Sequence, residues 1–272
     1  MATSFELGDY HCTCFRVGQF EIDAGTVFGD VAADELATAL ARHGLGTETL
    51  VFNIHALLVD TGANRVLIDP GGAWDDQNRL SPTLARAGID PASIDTVIIS
   101  HGHADHYWGG VDAGRGPRFE AARYWMQQRE WDHWLSSDNP EPDHAATFRE
   151  TLLPIDDHFT LIDGEDEIVP GIRGVPTPGH SPGHMVVRIG EHATYIGDVL
   201  LSPVNVEHPE WTARFDVWPE QVVKSRRALL KRLAGDGSLV LTCHFTPPAG
   251  KIVAARDGWR WLPETTTGPA EH

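Results

Sequence analysis

The chain has 272 residues, 41% of them hydrophobic and 22% charged, an ordinary globular composition that excludes a disordered, collagen-like or low-complexity protein. No uncharged apolar run approaches the ~18 residues of a membrane span. Lys and Arg number 21 against 39 Asp and Glu, a formal charge of −18 and poor electrostatics for gripping a nucleic-acid backbone.

In chain order, Val51–Asp60 and Arg65–Asp69 are short β-rich runs joined by a hairpin-like turn at Thr61–Asn64. Ser81-Pro82, followed by Leu84, Ala85 and then Gly88, predicts a helix capped by Ser81. Thr96–Ser100 is the continuous β-branched run of a strand covered on both faces. The aromatic spacing over residues 122–135 predicts a helix with Tyr124, Trp131 and Trp134 or Leu135 on its core face, leaving Trp125 over. Asp138–Asp143 is a polar, proline-rich loop, the one candidate boundary for an insertion, and residues 1–272 read as a single domain. Val186–Ile189 and Thr194–Ile196 pair as strands across residues 190–193. Pro219–Ala234 is an amphipathic helix with Val222, Val223, Leu229, Leu230 and Leu233 inward. Its cations, Lys224, Arg226, Arg227, Lys231 and Arg232, are expected on a solvated face, the last turn complementing the helix dipole. Leu239–Thr242 is a last core strand, and the alternation of strands and helices is that of an α/β protein.

Three cysteines, Cys12, Cys14 and Cys243, are too few for a disulfide framework, and Cys243 reads as a buried small hydrophobe. The opening MATSFELGDYHC carries no export signal, so a cytoplasmic setting is expected. Histidine is the residue in excess, at 15. The sharpest motif is His101-Gly-His103-Ala-Asp105-His106, directly after the buried strand. Imidazole and carboxylate are the ligands of zinc and related divalent ions. In an extended H-x-H both rings project to one side and can share an ion, while Asp105 and His106 follow on the turn and face a neighbouring position. His180 (in Pro178-Gly-His180-Ser-Pro-Gly-His184), Asp198 and His244 each stand at the edge of a predicted strand, where α/β sheets collect function.

Together these residues resemble the metallo-β-lactamase-fold superfamily of hydrolases over about Val51 to Phe245, with all seven positions of the dinuclear pattern filled in order. The resemblance implies a four-layer αββα sandwich. It implies that His101, His103 and His180 hold one metal, that Asp105, His106 and His244 hold a second, and that Asp198 bridges them. Asp69, in Leu67-Ile-Asp69-Pro-Gly-Gly72, matches the early aspartate that orients a ligand from behind, and His184 is a candidate for a similar role. Two divalent ions per chain are expected, Zn2+ first, with Mn, Fe or Co as alternatives. Asp105 and Asp198 would hold a hydroxide bridging the metals, which attacks an ester, lactone or phosphotriester, and the second metal, or Asp105 as a proton shuttle, would help the leaving group depart.

Tyr107, Trp108 and Trp125 are candidates for walls of a small-molecule pocket. The stretch after Asp198 is similar to the lactonase and organophosphate-hydrolase branch. The tyrosine that acyl-homoserine lactonases usually carry there is replaced by Val199-Leu200-Leu201-Ser202. The stretch after His244 is too short for the glutathione-binding domain of a glyoxalase II, the charge disfavours a nuclease, and the missing export signal disfavours a β-lactamase proper. The partner implied is a small molecule rather than nucleic acid or membrane, and a homodimer fits the resemblance. An iron-dependent redox enzyme on the same ligand frame and a non-catalytic metal-binding module are the alternatives.

Overall fold

The computed structural model describes residues 2–72 and 79–264. The ends of the expected 1–272 domain, residues 1 and 265–272, therefore lie outside the described residues. The first sheet opens with an antiparallel run of β1 (Ala2–Leu7), β2 (Tyr10–Asp23), β3 (Thr49–Asp60) and β4 (Arg65–Ile68). Two short helices, α1 (Ala24–Val27) and α2 (Ala33–Arg42), lie between β2 and β3. Pairing then becomes parallel as β5 (Thr96–Ile98), β6 (Arg123–Gln127) and β7 (Phe159–Ile162) are added in chain order. Parallel neighbours need crossovers. These carry α3 (Leu80–Arg86), α4 (Ala104–Tyr107), α5 (Gln128–Leu135) and α6 (Pro142–Leu152).

The second sheet holds β8 (Asp166–Val169), β9 (Ile172–Pro176), β10 (Met185–Ile189), β11 (Ala193–Tyr195), β12 (Leu239–Leu241), β13 (Ala249–Ala255) and β14 (Gly258–Pro263), in spatial order 14-13-12-11-10-9-8. Among the described strands of this sheet only β11 and β12 pair in parallel, and their crossover carries α7 (Val204–Glu207) and α8 (Pro219–Asp236). Successive strand residues point to opposite faces. Val187 and Leu241 accordingly join the same core as Leu67 and Val97 of the first sheet, while Val186 and Val240 pack on Leu229, Leu230 and Leu233 of α8. On the far side, Tyr107, Trp131, Trp134 and Phe148 belong to the core between the first sheet and α4–α6. The layers are helix, sheet, sheet, helix, as the resemblance implied. No helix among the described residues is long and apolar enough to cross a membrane.

Four local expectations are corrected. Residues 122–135 are not one helix, because Arg123–Gln127 form β6 and only Gln128–Leu135 form α5. Aromatics that fit a helical stripe equally fit a strand followed by a helix packed on the same core. The α3 helix starts at Leu80, so Ser81 lies in its first turn and makes no cap. The α8 helix runs on to Asp236, leaving no basic residue in its last turn, and Gly237 (φ +67°) closes it in the left-handed conformation. Finally, Arg226 is fully buried instead of facing solvent.

Candidate metal centre

Four strand ends build the site. Asp69 follows β4, the HGHADH turn follows β5, Asp198 follows β11 and His244 follows β12, while His180 stands on the loop entering β10. These are the carboxyl ends of the parallel strands, where backbone groups leave the sheet and side chains are presented together.

The histidines divide into two groups around one carboxylate. His101 Nε2 and His180 Nε2 each lie 3.0 Å from His103 Nδ1. Asp198 Oδ2 lies 3.6 Å from His180 Nε2 and 3.9 Å from His101 Nε2. Asp198 Oδ1 lies 3.1 Å from His244 Nε2 and 3.3 Å from His106 Nε2, and His244 Nε2 is also 3.2 Å from Oδ2. Asp105 Oδ2 completes this second group, 3.6 Å from both of those nitrogens. All seven expected ligand residues are thus brought together. Tyr107 is not among them: it is 1% exposed, with its ring edge on Phe148, so it fills the core instead of walling a pocket. Trp108 and Trp125 are half-buried and pack against the same core.

At His244, His180 and His106 a hydrogen bond fixes Nδ1 and leaves Nε2 turned into the site. His244 Nδ1 donates to the Asn53 carbonyl at 2.6 Å, and His180 Nδ1 donates to Asp216 Oδ1 at 3.0 Å. His106 Nδ1 donates to Asp69 Oδ2 at 2.7 Å, leaving Nε2 as the lone-pair end. Asp69 also accepts from Tyr195 Oη (2.9 Å) and from both Ser100 N (2.7 Å) and Ser100 Oγ (2.6 Å). Ser100 Oγ in turn meets His101 Nδ1 at 3.1 Å, so Asp69 orients two histidines, one directly and one through a hydroxyl. It does so from a left-handed backbone (φ +47°), a conformation that costs an L-residue about 1–2 kcal/mol and that these bonds offset. His184 joins Thr177 Oγ1 at 2.8 Å and accepts from the Asp198 N–H at 3.0 Å, fixing the backbone of the shared carboxylate. Burial, then the His180 ring, lowers its pKa to about 3, which keeps that acceptor neutral.

Three groups escaped the sequence reading. Asp216 forms a fully buried ion pair with Arg226 (3.0 Å), and Arg226 also donates to the carbonyls of Val199 and Trp211. Glu130, fully buried, accepts from the loops carrying the histidines. At the edge, Glu141 holds His144 at 2.8 Å, and the His144 ring lies 5.9 Å from that of His103. Buried charge of this kind has no signature in a single sequence, where it resembles a solvated helix face. The Cys243 thiol is buried as expected and donates to the His55 carbonyl at 3.8 Å.

The donor sets fit divalent ions. His106 Nε2 and Asp198 Oδ1 are buried atoms with no hydrogen-bond partner, a costly state unless a cation satisfies them. Three imidazoles with one carboxylate oxygen, and two imidazoles with two, are the ligand types that zinc and its neighbours take.

The family model for the metallo-beta-lactamase superfamily matches residues 49–244, most of the chain. This chain belongs to the metallo-beta-lactamase superfamily. Within it, the N-acyl homoserine lactonase AiiA of Bacillus thuringiensis subsp. kurstaki is 29% identical over 160 residues, 54% of this chain and 57% of that protein. Lactamase-like protein notP of Aspergillus sp. (strain MF297-2) is 32% identical over 160 residues, 57% of this chain and 39% of that protein. The chain thus spans little more than half the length of the lactonases it matches. Among solved structures, AidC, a dizinc quorum-quenching lactonase in complex with its product, superposes with a TM-score of 0.91 at 23% identity, covering 98% of each chain. The hydrolase AbOPH of the beta lactamase superfamily gives 0.89 at 22% identity, again covering 98% of each chain. At such identities the likeness establishes the superfamily fold.

Proposed function

We propose that the chain is a dinuclear zinc hydrolase of small lactones or esters, with phosphotriesters as related substrates, and that residues 1–272 act as one catalytic domain. The observation that carries this reading is the Asp198 carboxylate set between two groups of imidazoles, within 3.9 Å of His101 and His180 on one side and within 3.3 Å of His106 and His244 on the other. His101, His103 and His180 would hold one ion, Asp105, His106 and His244 the other, with Asp198 shared between them. Two such ions would supply a water activated near neutral pH and polarisation of the bond under attack. Around them, Asp69 and Asp216 orient the His106 and His180 rings, and His184 holds the Asp198 backbone. Asp105 makes no hydrogen bond among the described residues and is 7% exposed, so it is placed to take a proton at a carboxylate oxygen and return it to the leaving oxygen.

A small recess beside His244 is lined by Leu45, Leu50, Phe52, Leu201 and Phe245 together with Ser202 and Thr246. The names of the lactonase relatives support a lactone. The segment Val199–Ser202 is wholly buried and brings no phenol to the site, which favours a substrate other than the acyl-homoserine lactones those relatives are named for. Three free, buried thiols support a reducing, cytoplasmic compartment as part of the same proposal.

A panel of a γ-lactone, p-nitrophenyl acetate and paraoxon, assayed with and without chelator, tests the reading. Hydrolysis of at least one is expected, lost on metal removal and in Asp105→Asn. Full activity of metal-stripped protein would overturn it.

A further inference from the structure

The two loops that carry the three-histidine group are joined behind the ligands by one side chain on neither of them. Glu130, on α5, is fully buried and accepts four hydrogen bonds. Its Oε1 takes Gly102 N (2.8 Å) and Trp134 Nε1 (2.7 Å), and its Oε2 takes Ser181 Oγ (2.7 Å) and Gly183 N (2.7 Å). Gly102 lies between His101 and His103, and Ser181 and Gly183 follow His180. Each carboxylate oxygen therefore holds one ligand loop.

The two glycines record how close α5 approaches. A Cβ on Gly102 would stand 2.2 Å from Trp134 Nε1, and one on Gly183 would stand 2.2 Å from the Glu130 backbone nitrogen. Real Cβ contacts are never that short, so both motif glycines serve the docking of this helix. Three of the four donors are N–H groups that cannot reverse, so the site needs a side chain that accepts on both oxygens. A glutamate reaches both loops. A glutamine of the same size must turn its amide N–H toward one of them.

We infer that Glu130 is a positioning residue for the three-histidine half of the centre, setting the distance of His180 from His101 and His103. This rests on the dinuclear reading above. None of its hydrogen bonds reaches Asp105, His106 or His244. Its loss should therefore be felt by one ion only.

In Glu130→Gln the amide nitrogen can donate to Ser181 Oγ, which can turn to accept, but the Gly183 N–H is left facing a donor. The test is stepwise zinc affinity by equilibrium dialysis against a competing chelator, with each ion assigned by zinc-edge anomalous diffraction and with melting of the metal-free proteins in parallel. For Glu130→Gln, zinc at the three-histidine group is expected to bind roughly 10–100-fold more weakly, while the second zinc changes less than about threefold. Ser181→Ala removes a single arm, folds with the rest of the clamp intact, and should weaken the same ion by a smaller factor. Equal weakening of both ions in either variant overturns the inference, as does a fall in melting temperature with zinc affinity unchanged. Wild-type protein that binds no zinc would instead sink the dinuclear reading itself.

Discussion

His101 and His180 lie 3.9 and 3.6 Å from the Asp198 carboxylate, whereas His106 and His244 lie within 3.3 Å of it and 3.6 Å from Asp105 as well. The two groups show opposite electrostatics in chemically identical side chains. Burial, then neighbouring imidazoles, holds His101 and His103 well below the ordinary histidine value. Burial, the largest single influence, works the same way on His106 and His244, but it is outweighed by Asp198 acting with Asp105, Cys243 and Asp69 at His106 and with Cys243 at His244, and both stand well above that value. The carboxylate-rich half therefore attracts positive charge of any kind, and the imidazole-rich half waits for a soft Lewis acid. Without metal, His106 and His244 should be protonated near neutral pH and His101 and His103 neutral, a pattern that imidazole nitrogen NMR resolves. The supports differ too. His180 is backed by the buried Asp216–Arg226 pair, whereas His244 leans on a backbone carbonyl.

The sharpest way to abolish the contrast is Asp198→Ala, which removes the carboxylate common to both halves. Both ions should be lost, and hydrolysis should fall roughly a thousandfold or more, equivalent to several kcal/mol of barrier. Next comes Arg226→Met, which strands the Asp216 charge in the core. Urea unfolding should report a loss of about 3–5 kcal/mol. Adding Asp216→Leu should recover much of that stability without restoring zinc affinity at the three-histidine group, because His180 has lost its orienting acceptor. Asp69→Asn should be milder and felt by both halves, through His106 directly and His101 by way of Ser100. Zinc titration is expected to show affinities lowered about 10–100-fold.

The smallest effect concerns His55, buried against the Cys243 carbonyl, its pKa lowered to about 4 chiefly by burial. Its folded value lies below the unfolded one, so the unfolded chain binds more protons between the two. Stability from this residue is present above pH ~6.5 and is lost as pH falls toward about 4. His55→Gln should flatten that stretch of the metal-free stability profile.

The clustered residues of both halves were legible because they sit in short motifs at the ends of buried strands, and strand ends can be read from β-branched runs such as Thr96–Ser100. Orienting residues were legible only where they shared such a position: Asp69 follows β4, and His184 precedes β10. Glu130, Asp216 and Arg226 were not. Arg226 lies among Lys224, Arg227, Lys231 and Arg232 on α8, and only its tertiary partner, ten residues upstream and on a loop, distinguishes it from them. The β6–α5 boundary was missed because periodicity records which residues meet the core and is silent on where the backbone changes from one period to the other. The first two strands and α1–α2 left no motif at all; β2 is placed by its pairing with β3 and β1 by its pairing with β2.

Everything turns on whether two ions share Asp198. Zinc-edge anomalous diffraction from the metal-loaded wild-type protein should show two peaks per chain, one on either side of that carboxylate. A single peak at saturating zinc, or two peaks that persist in Asp198→Ala, would contradict the shared-carboxylate centre.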